Sequence, residues 1–244
     1  MDWYPTPSYL LKRRVILEYL KRYDMKTFLE VGCGCGDLLH VLEGMGYHGL
    51  GIDISQDALN IAARGLSSGS VRLHCCSHLE VKEQFDVVIA SEVMEHHHDD
   101  VVFLSQLRDR LFDGGRLLLT VPAHMKDWGA NDDFCGHVRR YERDELESKL
   151  NAARFGDIEV YSYGVPVYNI MKPFYDRAIV SKSNQADQMD KTAGSSGMWL
   201  LTHGGDVFRF MFNDVTMYPF YLLQRFFYTT NLGKGFFAAA RKKG

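Results

Sequence analysis

The sequence predicts an α/β fold: a doubly wound, mostly parallel sheet with helices on both faces. Three observations carry that expectation. Between Thr27 and Val121, short apolar runs alternate with helix-like stretches. Runs such as Phe85-Asp-Val-Val-Ile-Ala90 and Arg116-Leu-Leu-Leu-Thr-Val121 are apolar almost throughout, not at every second residue. Strands of that kind are buried on both faces, the condition of a parallel sheet covered by helices. Finally, 244 residues with 46% hydrophobic and 24% charged side chains fit one domain with an appendage, and exclude a disordered or fibrous chain.

The elements follow in order. Ser8, after Pro5 and Pro7, is the expected cap of a first helix with an apolar face of Leu10, Leu11, Val15, Leu17, Tyr19 and Leu20. Lys12, Arg13, Arg14, Lys21 and Arg22 fill the remainder, which reads as a solvated basic face or, alternatively, as a membrane-surface one. Strands are expected at 27–31, 49–53, 71–75, 85–90 and 116–121, with helices at 37–45, 56–64 and 100–112, the last ending at Gly114-Gly115. A polar loop rich in His, Asp and Arg covers 123–141. A helix at 142–153, a sixth strand at 157–163 and a last strand at 235–241 complete a seven-stranded sheet. The expected division is a core at 1–163, an inserted aromatic-rich helical cap at 164–232, and a final strand with a basic tail at 233–244.

Charge and composition narrow the function. A net charge of -3 and a pI near 6.4 do not supply the basic field that nucleic acid binding would use, so no nucleic-acid partner is expected. The most apolar stretch, between Val207 and Tyr228, is broken by Arg209, Asp214, Pro219 and Arg225, so it does not read as a spanning helix. Five cysteines, with Cys33/Cys35 and Cys75/Cys76 too close for ordinary bridging, and an N-terminus reading Met-Asp-Trp-Tyr-Pro suggest a reduced cytoplasmic protein.

The densest local signal is Glu30-Val-Gly-Cys-Gly-Cys-Gly36, between a strand and a helix. Glycines there let the backbone approach a ligand, and a helix N-terminus offers unpaired N–H groups. Asp53, at the end of the next strand, is placed to accept from ribose hydroxyls. A bare strand–helix turn without a ligand is the plain alternative, and Asp53 weighs against it. The glycines run G-x-G-x-G rather than the dinucleotide G-x-G-x-x-G. Glu30 would repel a pyrophosphate yet suits a cofactor with an ammonium or sulfonium group, which disfavours an NAD(P)-dependent oxidoreductase.

These residues resemble the Rossmann-like (class I) S-adenosylmethionine-dependent methyltransferases, in particular the ubiquinone/menaquinone-biosynthesis-type branch (methyltransferase type 11/12-like). The resemblance covers about 12–156 and rests on Phe28-Leu-Glu-Val-Gly-Cys-Gly-Cys-Gly-Asp37, Gly51-Ile-Asp-Ile-Ser55, Phe85 through Ser91-Glu-Val-Met-Glu-His96, and Leu107 through Pro122. It implies S-adenosylmethionine as cofactor. Glu30 would reach the methionine moiety, Gly32, Cys33, Gly34 and Gly36 would form the floor, Asp53 would bind ribose and Ile54 would pack on adenine. Ser91 and Glu92 would flank the sulfonium. Where many relatives carry an aspartate for the adenine amino group, this chain has His74-Cys-Cys-Ser-His-Leu79, so Cys76 or Ser77 would stand in through backbone groups.

Histidines supply the candidate bases. His137, in Gly136-His-Val-Arg-Arg-Tyr141, is the first candidate because an imidazole suits a hydroxyl acceptor; His124, Tyr141 and His96 follow. The plainer role for His137 and Arg140 is to pin the loop. Cys33-x-Cys35 with His74 and Cys75-Cys76 matches no common zinc spacing, and no metal is expected.

Eleven aromatic residues crowd the stretch from Val207 to Phe237. They read as a helical subdomain with its own core, or as a lid for an apolar acceptor or an interfacial helix on anionic lipid. The polar stretch 181–197 would suit a mobile lid. The expected function is O-methylation of a small-molecule or lipid-linked acceptor, cytoplasmic with peripheral membrane contact between Val207 and Tyr228. A non-catalytic S-adenosylmethionine-binding module is the alternative.

Overall fold

A computed structural model of the chain describes residues 5–172 and 212–244. Seven strands form one sheet: β1 (Thr27–Val31), β2 (His48–Asp53), β3 (Val71–Cys75), β4 (Phe85–Ser91), β5 (Leu111–Pro122), β6 (Phe155–Tyr163) and β7 (Gly235–Lys242). Their order is β3-β2-β1-β4-β5-β7-β6. The first five pair in parallel, and β7 inserts antiparallel between β5 and β6. The doubly wound, mostly parallel sheet is therefore as expected. From β1 the chain winds outward through β2 and β3, then returns to lay β4 beside β1, with Val31 opposite Ala90. That reversal opens a crevice at the carboxyl ends of β1 and β4, where ligands bind in open α/β sheets.

The helices are α1 (Pro7–Leu20), α2 (Asp37–Gly44), α3 (Gln56–Ala62), α4 (Asp100–Arg108), α5 (Ala130–Cys135), α6 (Arg143–Ala152) and α7 (Tyr218–Arg225). One face of the sheet buries Phe103, Leu104 and Leu107 of α4 with Leu146 and Leu150 of α6. The other buries Leu10, Leu11 and Ile16 of α1, Leu38, Leu39 and Leu42 of α2, and Tyr221 of α7. β-Strands sandwiched this way have no polar face, which is why β4 and β5 read as continuous apolar runs.

Three local expectations are corrected. Thr6, not Ser8, caps α1: its side chain accepts from the Tyr9 N–H, and Pro7 occupies the first helical position, where a missing N–H costs nothing. Gly114-Gly115 does not end a helix, since α4 stops at Arg108 and β5 starts at Leu111. The register of β4 against β5 jumps from Phe85–Leu111 to Val87–Arg116, and the glycines occupy that irregularity. A Cβ on Gly115 would lie 2.9 Å from the Asp86 carbonyl oxygen, so the side chain is excluded by strand approach. The basic residues of α1 do not simply face solvent, because Arg13 is buried and binds Asp37 at 2.5 Å and Asp214 at 2.7 Å.

Of the expected cap at 164–232, residues 167–172 are helical and α7 packs against α1. The stretch 181–197, read as a lid, and residues 207–211 lie outside the described residues. Gln224, fully buried on α7, joins three parts of the chain: its Oε1 accepts from the Gly164 N–H at 2.9 Å, and its Nε2 donates to the Leu11 carbonyl at 3.3 Å. Gln224→Leu keeps the volume but leaves the Gly164 N–H unpaired and the Leu11 carbonyl with its intrahelical bond alone. It is expected to destabilise the fold by about 1–3 kcal/mol, measured as a lower urea midpoint at unchanged slope.

Candidate active site

The glycine turn after β1 is held from below. The Gly32 and Cys33 N–H groups both donate to the Ile52 carbonyl, and the Gly34 N–H donates to Asp53 Oδ2 at 2.8 Å. Asp53 Oδ1 accepts from the Ser55 N–H at 2.9 Å. Gly36 caps α2 with φ +78°, and a Cβ there would sit 2.6 Å from that of Ala62, so a larger residue is excluded both by conformation and by packing. A Cβ on Gly32 would meet Val93 Cγ2 at 2.6 Å, so this turn is fitted against the segment that follows β4. Cys33 is buried within it, and burial pushes its thiol upward, away from reactivity.

Carboxylates collect above this turn. Glu30 is 4% exposed and its Oε2 is buried with no hydrogen-bond partner among the described residues. Burial raises its carboxyl well above the usual range, and Asp37 adds to the rise while Lys12 opposes it. Ser91 shares a 3.0 Å hydrogen bond with Thr120. Glu92 takes φ +57° at the end of β4, and its Oε1 accepts from the Tyr163 hydroxyl at 2.9 Å with Lys12 Nζ 4.0 Å away. Burial would raise Glu92, but Lys12 and the Tyr163 hydroxyl bring it below its ordinary value. Ile54 projects at the lip, 83% exposed.

Cys76 and Ser77, expected near the adenine, directly follow β3 at the same edge of the sheet. The Cys76 N–H donates to the Asp53 carbonyl at 3.2 Å, and the Ser77 N–H donates to Glu80 Oε1 at 2.8 Å. These bonds use the two N–H groups, while an adenine amino group, itself a donor, would be met by a backbone carbonyl.

The histidine-rich loop splits the four candidate bases. His96 and His137 come together with ring centroids 5.0 Å apart. His137 Nδ1 lies 2.8 Å from Asp132 Oδ1, and its Nε2 lies 3.7 Å from Glu95 Oε1. Burial lowers His96, and the neighbouring His137 lowers it further. His124 stands elsewhere, buried, with Nδ1 2.6 Å from Glu142 Oε2 and its ring against Phe236. Tyr141 is a correction: it lies wholly in the core, and its hydroxyl donates to Asp100 Oδ2 at 3.0 Å. Burial and Asp100 push that phenol upward, so it cannot serve as a base.

Sequence reasoning passed over two groups. Asp132, fully buried, accepts from Arg140 Nε and Nη2 at 2.8 and 2.9 Å as well as from His137. Burial alone would raise its carboxyl, yet the hydrogen bonds from His137 and Arg140 hold it down to about 2. Glu95, fully buried, has no hydrogen-bond partner on either oxygen, and with His96 and His137 it forms a group whose ligand atoms lie within 4.8 Å of one another. The potential metal ligands thus gather here and not at the cysteines, all five of which are free. The signal for Asp132 was three polar residues, Asn131-Asp132-Asp133, before a glycine and a histidine, but only folding selects which one turns inward.

The profile of a family described as a methyltransferase domain matches residues 8–160. A ubiquinone biosynthesis O-methyltransferase of Bradyrhizobium diazoefficiens is 36% identical over 106 residues, 41% of this chain and 40% of that protein. A tRNA U34 carboxymethyltransferase of Edwardsiella ictaluri is 36% identical over 111 residues, covering 43% of this chain and 34% of the relative. The chain thus spans well under half the length of these curated relatives. Among solved structures, phosphoethanolamine N-methyltransferase 2 of Haemonchus contortus, in complex with phosphomonomethylethanolamine and S-adenosylhomocysteine, superposes with a TM-score of 0.60 at 18% identity. It covers 95% of this chain and 53% of its own, a likeness of fold.

The Asp132 pair makes stability depend on acid. Its folded value lies below the ~3.9 of an unfolded aspartate, so the stabilisation, about 2 kcal/mol, is complete above roughly pH 4 and is lost as pH falls through about 2. Asp132→Asn leaves the Arg140 guanidinium buried without its counter-charge. At pH 7 urea denaturation is expected to show a loss of about 3–5 kcal/mol, and the gap between variant and wild type should narrow below pH 4.

Proposed function

This chain belongs to the methyltransferase-domain family, and from that premise we propose that it moves a methyl group from S-adenosylmethionine to a hydroxyl oxygen of a small-molecule or lipid-linked acceptor. The observation that carries the reading is Glu30, buried with its Oε2 unpartnered among the described residues, above a glycine turn tied to Asp53. Those residues fit a cofactor with a cationic methionine end and a ribose. Glu30 keeps an oxygen for positive charge, and each Asp53 oxygen has lone pairs beyond its one backbone bond.

S-adenosylmethionine supplies a methyl group already activated by its sulfonium leaving group. What is asked of the chain is placement. Glu30 answers the positive charge, Asp53 receives the ribose while keeping the turn closed, and Ile54 offers an apolar face to the adenine ring. The acceptor comes in from the side of Ser91, Glu92 and the Glu95–His96–His137 group, which lie after β4. In-line alignment and loss of the hydroxyl proton are the two requirements there. The relatives named for ubiquinone biosynthesis support an oxygen acceptor attached to an apolar body.

For a lipid-linked acceptor, membrane contact through residues 207–228 is part of the proposal. In the described portion, Phe220, Leu223 and Phe226 are exposed at 44%, 41% and 81%, beside the exposed Arg225. Apolar groups with a basic neighbour suit headgroup depth on an anionic surface. Among the described residues no helix is long and apolar enough to cross a membrane. Five free cysteines support a reducing, cytoplasmic setting.

Calorimetric titration tests the cofactor. S-adenosylhomocysteine is expected to bind with micromolar affinity and NADH not to bind; Asp53→Ala should weaken the former at least about tenfold, as loss of a charge-assisted hydrogen bond requires. Unchanged affinity in that variant would refute the placement. Transfer of labelled methyl is then expected to apolar and lipid-linked alcohols and not to tRNA. Binding without turnover on any acceptor would favour the non-catalytic module.

The membrane contact is tested by sedimentation with vesicles. Wild type is expected to pellet with phosphatidylserine-rich vesicles and to be released by salt, while Phe226→Asp should stay in the supernatant with an unchanged urea midpoint.

A further inference from the structure

Arg13 is a positive charge sealed inside the fold at 6% exposure, and its guanidinium serves two carboxylates from distant segments. Its Nη1 donates to Asp37 Oδ2 at 2.5 Å, and its Nη2 donates to both oxygens of Asp214, at 2.8 and 2.7 Å. Burial would lower the guanidinium, but Asp37 and Asp214 together raise it, so it stays charged. A cation kept out of water in this way is tolerated only where its counter-charges compensate the lost solvation.

Asp37 connects this pair to Glu30. It opens α2 directly after the glycine turn that leaves β1 beside Glu30. The turn is folded tightly, with the Gly36 N–H donating to the Cys33 carbonyl at 3.0 Å, so the two acids stay within electrostatic reach. Burial is the first cause of the raised Glu30 carboxyl, and the charge of Asp37 is the second. The titratable and charged groups around Glu30 come from every element packed on it: Tyr9 and Lys12 from α1, Cys33 from the turn, Asp37 from α2 and Asp53 from β2. Lys12 opposes the rise, whereas Asp37 and Asp53 add to it. Arg13 works one step away, on Asp37, to which the Tyr9 hydroxyl also donates.

We propose that Arg13 is a positioning residue of the cofactor site: clamped between Asp214 and Asp37, it offsets the charge of Asp37 and so keeps the Glu30 carboxylate available to the cationic end of the cofactor. The identity of the cofactor rests on the methyltransferase reading; the relay from Arg13 through Asp37 to Glu30 does not. By Coulomb's law an uncompensated Asp37 opposes a second negative charge nearby. Glu30 then holds its proton to higher pH and loses its attraction for a sulfonium or ammonium group. A neutral residue at position 37 does the reverse. Asp214 gives the relay its reach, since one guanidinium ties the segment ahead of α7 to the start of α2.

The test follows the Glu30 carboxyl by carbon NMR in the full chain, labelled at its glutamate carboxyl carbons, with the signal identified by its loss in Glu30→Gln. Arg13→Gln should move the titration midpoint up by at least about half a pH unit, and Asp37→Asn should move it down by a similar amount. Arg13→Lys, which keeps the charge, should return most of the way to wild type. Affinity for S-adenosylmethionine, measured by calorimetry over the same pH series, should fall toward acid with midpoints displaced in the same two directions. Loss of packing alone would move both midpoints the same way or neither, and either result overturns the proposal. So do opposite NMR shifts that leave the pH profile of S-adenosylmethionine binding unchanged. Should Arg13→Gln lack a cooperative urea transition, Asp37→Asn decides: an unmoved or raised midpoint overturns the relay. Opposite shifts in a chain that does not bind S-adenosylmethionine would strike the methyltransferase reading and leave the relay standing.

Discussion

Negative charge buried at the carboxyl edge of a parallel sheet is the constraint on which most of this structure depends. Glu30, Glu95 and Asp132 are all at most 4% exposed, and Glu92 stands among them. A carboxylate removed from water is tolerated when it is paired, hydrogen-bonded or kept protonated. Asp132 takes the first route through Arg140 and His137, and Glu92 is served by Tyr163 and Lys12. Glu30 keeps one oxygen, and Glu95 both, without a partner among the described residues. The satisfied carboxylates hold loops in place. The unsatisfied ones tie no loop, and burial raises their carboxyls well above the usual range.

The sheet explains why these groups meet. The switch between β1 and β4 brings the ends of two strands side by side, and the segments leaving them must diverge. The glycine turn leaves β1 and packs on Val93, while the turn carrying Glu95 and His96 leaves β4. Helix α1 then closes over this edge, and its role differs from that of an ordinary amphipathic surface helix. Arg13 reaches Asp37 at the start of α2, and Lys12 reaches toward Glu92. Its basic residues are therefore part of the charge balance of the site. Gln224 carries α7 onto the same helix, and Tyr221 in the core and Arg143 on the Tyr228 carbonyl add to that coupling.

What could be read in advance divides along physical lines. Apolar continuity is a property of a few adjacent residues, so β4 and β5 were legible, as was the glycine turn with Asp53 one strand later. The Gly114-Gly115 pair was not, because two glycines signal a helix end and a strand irregularity equally well; the pairing with Asp86 decides between them. Residue type also misled at Tyr141. A tyrosine beside arginines and a histidine looks like site chemistry, but its burial in the core with α4 and α6 commits the hydroxyl to Asp100. The Cys76 and Ser77 N–H groups bond to Asp53 and Glu80 for the same reason: hydrogen-bond partners are chosen in space.

The sequence alone determined the α/β class, the strand–turn–helix that carries Glu30 and the glycines, and the acidic residue one strand away, because each depends on neighbours along the chain. The tertiary structure alone decided which histidines meet and which stand apart, and which of three adjacent polar residues turns inward as Asp132. It also decided that Glu95 is sealed without a partner beside His96 and His137. Those outcomes depend on burial and on contacts between segments some forty residues apart, such as the one between Glu95 and His137, and neither burial nor long-range contact is encoded in local pattern.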